Sequence, residues 1–189
     1  MAAAIHAGPI LAAAFGATPD HVYSASLDGD VVLRGATNAA VLARWRCHDG
    51  PVTDLYYDAA RKHLVSCGHD GCIRLWHPTS GAARGELCGH SAGIFGIAIR
   101  GNTLASASFD RTIRVWDAAS GVWLQTLSGH DDAVTDVEFV ADDVIASSSR
   151  DRTIRLWHWP SATPIAALSG HDLWVTRVAV LRDGMELLS

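Results

Sequence analysis

Serine, histidine and aspartate recur in this chain in the combination that, around one exposed hydroxyl, cleaves esters and amides. The sets are His48, Ser66 and Asp70; His90, Ser106 and Asp110; and His130, Ser147 and Asp151. In such a triad the imidazole takes the hydroxyl proton and the carboxylate orients the imidazole. A second nucleophile signature is Gly89-His90-Ser91-Ala92-Gly93, a literal G-x-S-x-G, which in hydrolases sets the serine on a sharp strand-to-helix turn. Histidines, ten in number, and four cysteines raise metal binding as a further chemistry.

The spacing argues for a different use of these residues. In all three sets the Asp follows the Ser by four residues and precedes a Trp by six, giving Trp76, Trp116 and Trp157. The steps from His48 to His90, His130 and His171 are 42, 40 and 41 residues. A period of that length marks a repeat architecture. One catalytic centre has no need of three copies, each with a Trp at the same offset. An indole N–H, a hydroxyl, an imidazole and a carboxylate instead supply matched donors and acceptors for a buried network. Ser91 occupies the slot of Asp131 and Asp172, and the segment after it, Ile94 to Arg100, reads as strand. A serine hydrolase is therefore the lesser alternative.

The metal reading weakens in the same way. His6, His48, His90, His130 and His171 are repeat positions, and His21, His63, His69, His77 and His158 lack paired ligand spacing. Cys47, Cys67, Cys72 and Cys88 form no Cys-x-x-Cys pair. Cys67 and Cys72 can face each other across a hairpin, but the stronger expectation is reduced thiols serving as small apolar residues. No metal and no cofactor is expected.

Composition bounds the rest. With 189 residues, 49% hydrophobic and 19% charged, the chain is expected to fold. A net charge of -5 disfavours sequence-independent binding to nucleic acid. No run of about 18 apolar residues is present, so no membrane span is expected. The Ala-rich start has no Lys or Arg before it, and His6 and Pro9 interrupt it, which speaks against a secretory signal. His6-Ala7-Gly8-Pro9-Ile10 instead matches His48-Asp49-Gly50-Pro51-Val52, placing the start of the chain in the repeat.

The elements that must position these residues are short strands. In one repeat the runs 133–139, 144–149, 153–159 and 165–168 alternate with turn residues, which predicts a four-stranded antiparallel meander. No segment sustains helical periodicity. In the last repeat a first strand is predicted from Trp174 to Val180, followed by Met185 to Ser189, with Ser189 near the Ser position. One such sheet cannot cover both its faces, so neighbouring sheets must stack.

The chain resembles the WD40 repeat family. Gly89-His90, Gly129-His130 and Gly170-His171 match its opening signature and Trp116-Asp117 its closing one, whereas Trp76-His77 and Trp157-His158 keep only the Trp. The resemblance implies an all-β, WD40-type β-propeller with four full four-stranded blades and half of a fifth. The blades fall at about 6–47, 48–89, 90–129, 130–170 and, in part, 171–189 of a single repeat domain. It implies a tetrad in each blade: indole to Ser, Ser to imidazole, imidazole to Asp. The first copy has His6, Ser24 and Asp28 but Arg34 in the Trp slot. Because the family usually closes with seven blades, an open fragment is expected, with unpaired edges that invite self-association.

For function, the resemblance implies a non-enzymatic scaffold that binds other proteins or peptides; with no convincing signal and no Asn-x-Ser/Thr sequon, an intracellular location is expected. The alternative is the substrate-recognition subunit of a ubiquitin ligase, although Trp116-Asp117-Ala118-Ala119 lacks the Arg that often follows in such relatives. Contact positions carried over from the family, just before the tetrad Asp and near the start of the innermost strand, include His69, Phe95, Phe109, Asp136, Arg150 and Arg177. Phe95 and Phe109 are read as an apolar anchor, and Arg150 with Arg177 as a site for carboxylate or phosphate.

Overall fold

Four sheets of the same design account for most of the chain. The computed structural model describes residues 5–181 and 186–189; Met185 and the first four residues of the Ala-rich start lie outside that range. The first sheet contains β1 (Ile10–Phe15), β2 (His21–Ser26), β3 (Asp30–Gly35) and β4 (Val41–Arg46). The second contains β5 (Val52–Asp58), β6 (His63–Gly68), β7 (Cys72–Trp76) and β8 (Ala83–Cys88). The third contains β9 (Ile94–Arg100), β10 (Thr103–Ser108), β11 (Thr112–Asp117) and β12 (Trp123–Ser128). The fourth contains β13 (Val134–Phe139), β14 (Val144–Ser149), β15 (Thr153–His158) and β16 (Thr163–Ser169). Within each, every strand pairs antiparallel with the next in sequence. The strands β17 (Ala179–Leu181) and β18 (Glu186–Leu188) form a two-stranded fifth sheet.

Strand composition follows position in the sheet. The second strands are buried on both faces and carry small residues: Ala105, Ser106, Ala107 and Ser108 in β10, and Ala146, Ser147, Ser148 and Ser149 in β14. The fourth strands are mostly exposed; in β8 only Leu87 is buried. Small side chains in the second strand let a neighbouring layer approach on each side, while the outer strand needs only one covered face.

The chain divides into two compact units, Met1–Gly89 and His90–Ser189. In the first, Ala12, Tyr23, Val31, Leu33, Val52, Leu55, Leu64 and Trp76 form the core, and the Tyr23 hydroxyl donates to the carbonyl of Pro78 at 2.9 Å. In the second, Ala105, Ile113, Val115, Leu127, Val134, Val137, Ile145 and Trp157 form the main core. A smaller cluster joins Ala146 and Ile154 to Val175 and Val178.

Three strand boundaries depart clearly from the sequence expectation. The third run of the fourth sheet ends at His158, because Pro160 enters a short 3-10 turn over Trp159–Ser161 and removes a ladder donor. The fourth run begins earlier, at Thr163, and includes Pro164, which the outermost strand of a sheet tolerates. In the last repeat the strand predicted from Trp174 is regular only at Ala179–Leu181. Before it, the Val175 N–H donates to the Ser149 carbonyl and the Val178 N–H to the Asp136 carboxylate, so these donors are used outside any ladder.

Candidate functional site

The repeated side chains meet in each sheet. In the second sheet Trp76 Nε1 donates to Ser66 Oγ at 2.9 Å, Ser66 Oγ lies 2.8 Å from His48 Nε2, and His48 Nδ1 lies 2.9 Å from Asp70. In the third the distances are 3.0 Å from Trp116 to Ser106, 2.9 Å from Ser106 to His90 and 2.8 Å from His90 to Asp110. In the fourth they are 2.8 Å from Trp157 to Ser147, 2.8 Å from Ser147 to His130 and 2.7 Å from His130 to Asp151. The first sheet keeps His6 to Ser24 at 2.9 Å, but its His6–Asp28 contact stretches to 3.3 Å and Arg34 brings no indole. Arg34 Nε is instead buried without a hydrogen-bond partner. In the last repeat, His171 Nε2 lies 2.8 Å from Ser189 Oγ.

The electrostatics follow from this geometry. Burial opposes the charge on Asp151, but hydrogen bonds from Thr153 and His130 outweigh it and bring the carboxyl down to about 2. Burial is likewise outweighed at Asp110, by His90 and Thr112, and at Asp70, by Arg74 and His48; both carboxyls sit below their ordinary value. Burial pushes the His48 and His130 imidazoles below theirs, against the pull of Asp70 and Asp151. A neutral imidazole with its Nδ1–H on the carboxylate leaves Nε2 free to accept the Ser hydroxyl, which in turn accepts the indole N–H.

These serines lack the access a nucleophile needs. Ser66, Ser106 and Ser147 are fully buried. Ser91 is exposed, but its N–H donates to Asp110 and the chain runs from it into β9, so no strand-to-helix elbow forms.

The contact residues carried over by position separate into two groups. Phe95 and Phe109 approach with ring centres 5.9 Å apart, and the Arg150 guanidinium carbon lies 5.6 Å and 5.2 Å from those centres. Arg150 also lies 4.5 Å from the ring centre of Trp174. Arg177 does not join Arg150; it reaches Asp136 at 3.3 Å. Asp136 is buried, with its other oxygen on the Val178 N–H at 3.0 Å, and so is not presented to a partner. Burial raises its carboxyl, against Val178 and Arg177. His69 is exposed at the turn after β6 and belongs to the first unit.

Asp136 and Phe95 behave differently because they are not equivalent positions: Asp136 stands six residues after His130, Phe95 five after His90. In β13 the register steps from Val134 to Asp136, and in β9 it steps over Phe95 to Gly96. Phe95 is thus the counterpart of Thr135, and Gly96 that of Asp136; a one-residue offset sends side chains to opposite faces. Trp174, with its neighbour Leu173, was missed from sequence. The available signal was that Leu173 and Trp174 stand where other repeats place Gly50-Pro51, Ala92-Gly93 and Asp132-Ala133. Leu173, Trp174 and Thr176 line a hollow of about 380 Å³.

The cysteines also differ from expectation. Reduced thiols are found only at Cys47 and Cys67, which are free and buried; Cys72 is joined to Cys88, and not to Cys67. Cys67 pairs in register with Ile73, whereas Cys72 lies directly opposite Cys88.

The family description WD40, "WD domain, G-beta repeat", matches residues 40–77, 81–117 and 121–158, more than half of the chain. The chain belongs to the WD40 repeat family. It is similar to striatin of Mus musculus, at 29% identity over an 85-residue alignment; the match covers 39% of this chain and 11% of striatin. It shares its fold with the solved structures "Structure of U3-55K" and "Crystal structure of RRP9 WD40 repeats", each at 23% identity and a TM-score of 0.86. Each match covers 93% of this chain and 56% of the other. The chain therefore spans a small part of striatin and about half of either structure.

Proposed function

We propose that this chain is a non-enzymatic scaffold that binds a protein or peptide, and that Phe95, Phe109, Arg150 and Trp174 form its contact face. The observation that carries this reading is the Arg150 guanidinium held over three aromatic rings, two of which, Phe109 at 48% and Trp174 at 60%, are substantially exposed. No carboxylate among the described residues pairs with Arg150. A guanidinium held by ring faces keeps its N–H edge available and loses little freedom on binding. Aromatic and Arg side chains dominate the energetics of protein contacts. The favoured occupant is a segment that sets an acidic group against Arg150 and an apolar side chain in the hollow beside Leu173.

Selection from a random peptide display library with the full chain tests this. Enriched peptides are expected to carry an acidic residue near an apolar one, and to lose binding to Arg150→Ala and Trp174→Ala but not to Val122→Ala. Peptides that bind all three variants equally defeat the assignment. Labelling of Ser91 by a fluorophosphonate, abolished in Ser91→Ala, defeats the non-enzymatic reading.

A further inference from the structure

We propose that Cys72 and Cys88 form a reversible thiol–disulfide switch on the outer hairpin of the second sheet, responsive to low-molecular-weight disulfides of the glutathione type. The inference is independent of the contact face above, which lies in the other unit.

Three observations carry it. The first is register. Cys72 on β7 and Cys88 on β8 are directly opposite, with Cα atoms 4.4 Å apart, so bridging needs no backbone rearrangement. The second is the same register position in the other sheets, occupied by Asp30 and Arg46, Thr112 and Ser128, and Thr153 and Ser169. Those sheets form without a covalent link, so the bridge is an addition to a hairpin that does not require it. The third is the surroundings. Cys88 is exposed and Cys72 partly so, whereas Cys47 and Cys67 are buried. On the same face, one pair along, Arg74 lies opposite Glu86 and binds it at 2.7 Å, and the Glu86 carboxylate reaches within 4.8 Å of both sulfurs. Exposure at Cys88 admits a small disulfide, whereas the buried Cys47 and Cys67 offer it no access.

The sulfur pair stands apart from the tetrad. In the third and fourth sheets the residue in the Cys72 slot, Thr112 or Thr153, donates its hydroxyl to the tetrad Asp at 2.6 Å. In the second sheet Asp70 receives Arg74 instead, at 2.5 Å, and this Arg74 also holds Glu86. The arrangement leaves the Cys72 sulfur unclaimed by the tetrad and available for exchange.

The chemistry balances as two exchanges. The Cys88 thiolate attacks one sulfur of glutathione disulfide, expelling one glutathione thiolate and leaving a mixed disulfide. The Cys72 thiolate then attacks the Cys88 sulfur and expels the second. The pair loses two electrons and two protons, and the oxidant becomes two thiols. Two glutathione thiols reverse the sequence.

The test equilibrates the full chain in glutathione buffers of graded oxidation, traps thiols with a maleimide mass tag and maps the tagged peptides. Cys72 and Cys88 are expected to lose their tags together in one transition governed by the square of the thiol over the disulfide. Cys47 and Cys67 should react only after unfolding. Amides of β8 should exchange roughly tenfold more slowly in the bridged form. Either Cys72→Ser or Cys88→Ser should abolish the paired loss. Three results overturn the proposal: both cysteines tagged at every buffer ratio, a stable mixed disulfide at Cys88, or a bridge to Cys47 or Cys67. Because the mapping is done on the unmodified sequence, a variant that fails to fold does not shield the idea.

Discussion

The Asp136 carboxylate accepts the backbone N–H of Val178, 42 residues along the chain, at 3.0 Å. The same aspartate packs against Gly96 from the other side, where an added Cβ would lie 2.6 Å from its Oδ1 and 3.1 Å from its Cα. Asp136 therefore joins the innermost strand of the fourth sheet to the elements on both sides of it, and Gly96 is the residue that makes room.

Gly96→Ala is thus expected to destabilise the chain by about 2 kcal/mol, the cost of overpacking against backbone that cannot withdraw. Gly101→Ala cannot serve as the control, since Gly101 has a φ of 58°; Gly50→Ala can, because nothing lies near its Cβ direction. Chemical denaturation should show a lowered midpoint for the first and little change for the second. Equal midpoints would remove the close approach from the account.

Asp110→Ala should cost about 3 kcal/mol. The carboxylate accepts His90 Nδ1, the Ser91 and Thr112 N–H groups and the Thr112 hydroxyl, and each partly buried donor left unpaired costs roughly 1–3 kcal/mol. Asp172→Ala, in the exposed segment after His171, is the comparison. Similar melting temperatures for the two variants would count against the tetrad as a stabilising unit.

Arg34→Trp should stabilise the first sheet by about 1 kcal/mol. The substitution supplies Ser24 with the indole donor present in the other full sheets and removes a guanidinium nitrogen that is buried without a partner. Thermal melts monitored by circular dichroism give the answer, and an unchanged or lowered melting temperature contradicts it.

Acid should act in two stages. The His48 and His130 values are depressed in the fold, so their contribution is complete above the unfolded value of about 6.5 and is lost as pH falls through their folded values. The carboxyls of Asp70, Asp110 and Asp151 are also depressed. Their contribution is complete above the ordinary 3.8 and is lost below it, for Asp151 down to about 2. Denaturation midpoints should therefore fall between pH 7.5 and 5.5 and again below about pH 4. A midpoint that stays flat between pH 7.5 and 5.5 contradicts neutral, buried imidazoles.

The repeat made most of the fold legible. His, Ser, Asp and Trp at fixed offsets, with turn residues between short apolar runs, specify strand order because each network closes only when the second and third strands lie side by side. The positions of His90, Ser106, Asp110 and Trp116 are a local matter, settled within one period. Register and neighbours are not local. Gly96 stands six residues after His90, as Asp136 does after His130, yet only packing brings the two into contact. Cys72 meets Cys88 across a strand pair, although Cys67 is closer in the chain. Arg150 rests on Trp174, from the following repeat, because the tertiary fold brings that indole over it, while Arg177 turns to a buried carboxylate. Spacing along the chain encodes what one sheet does with itself; only packing decides which side chains are left to meet something else.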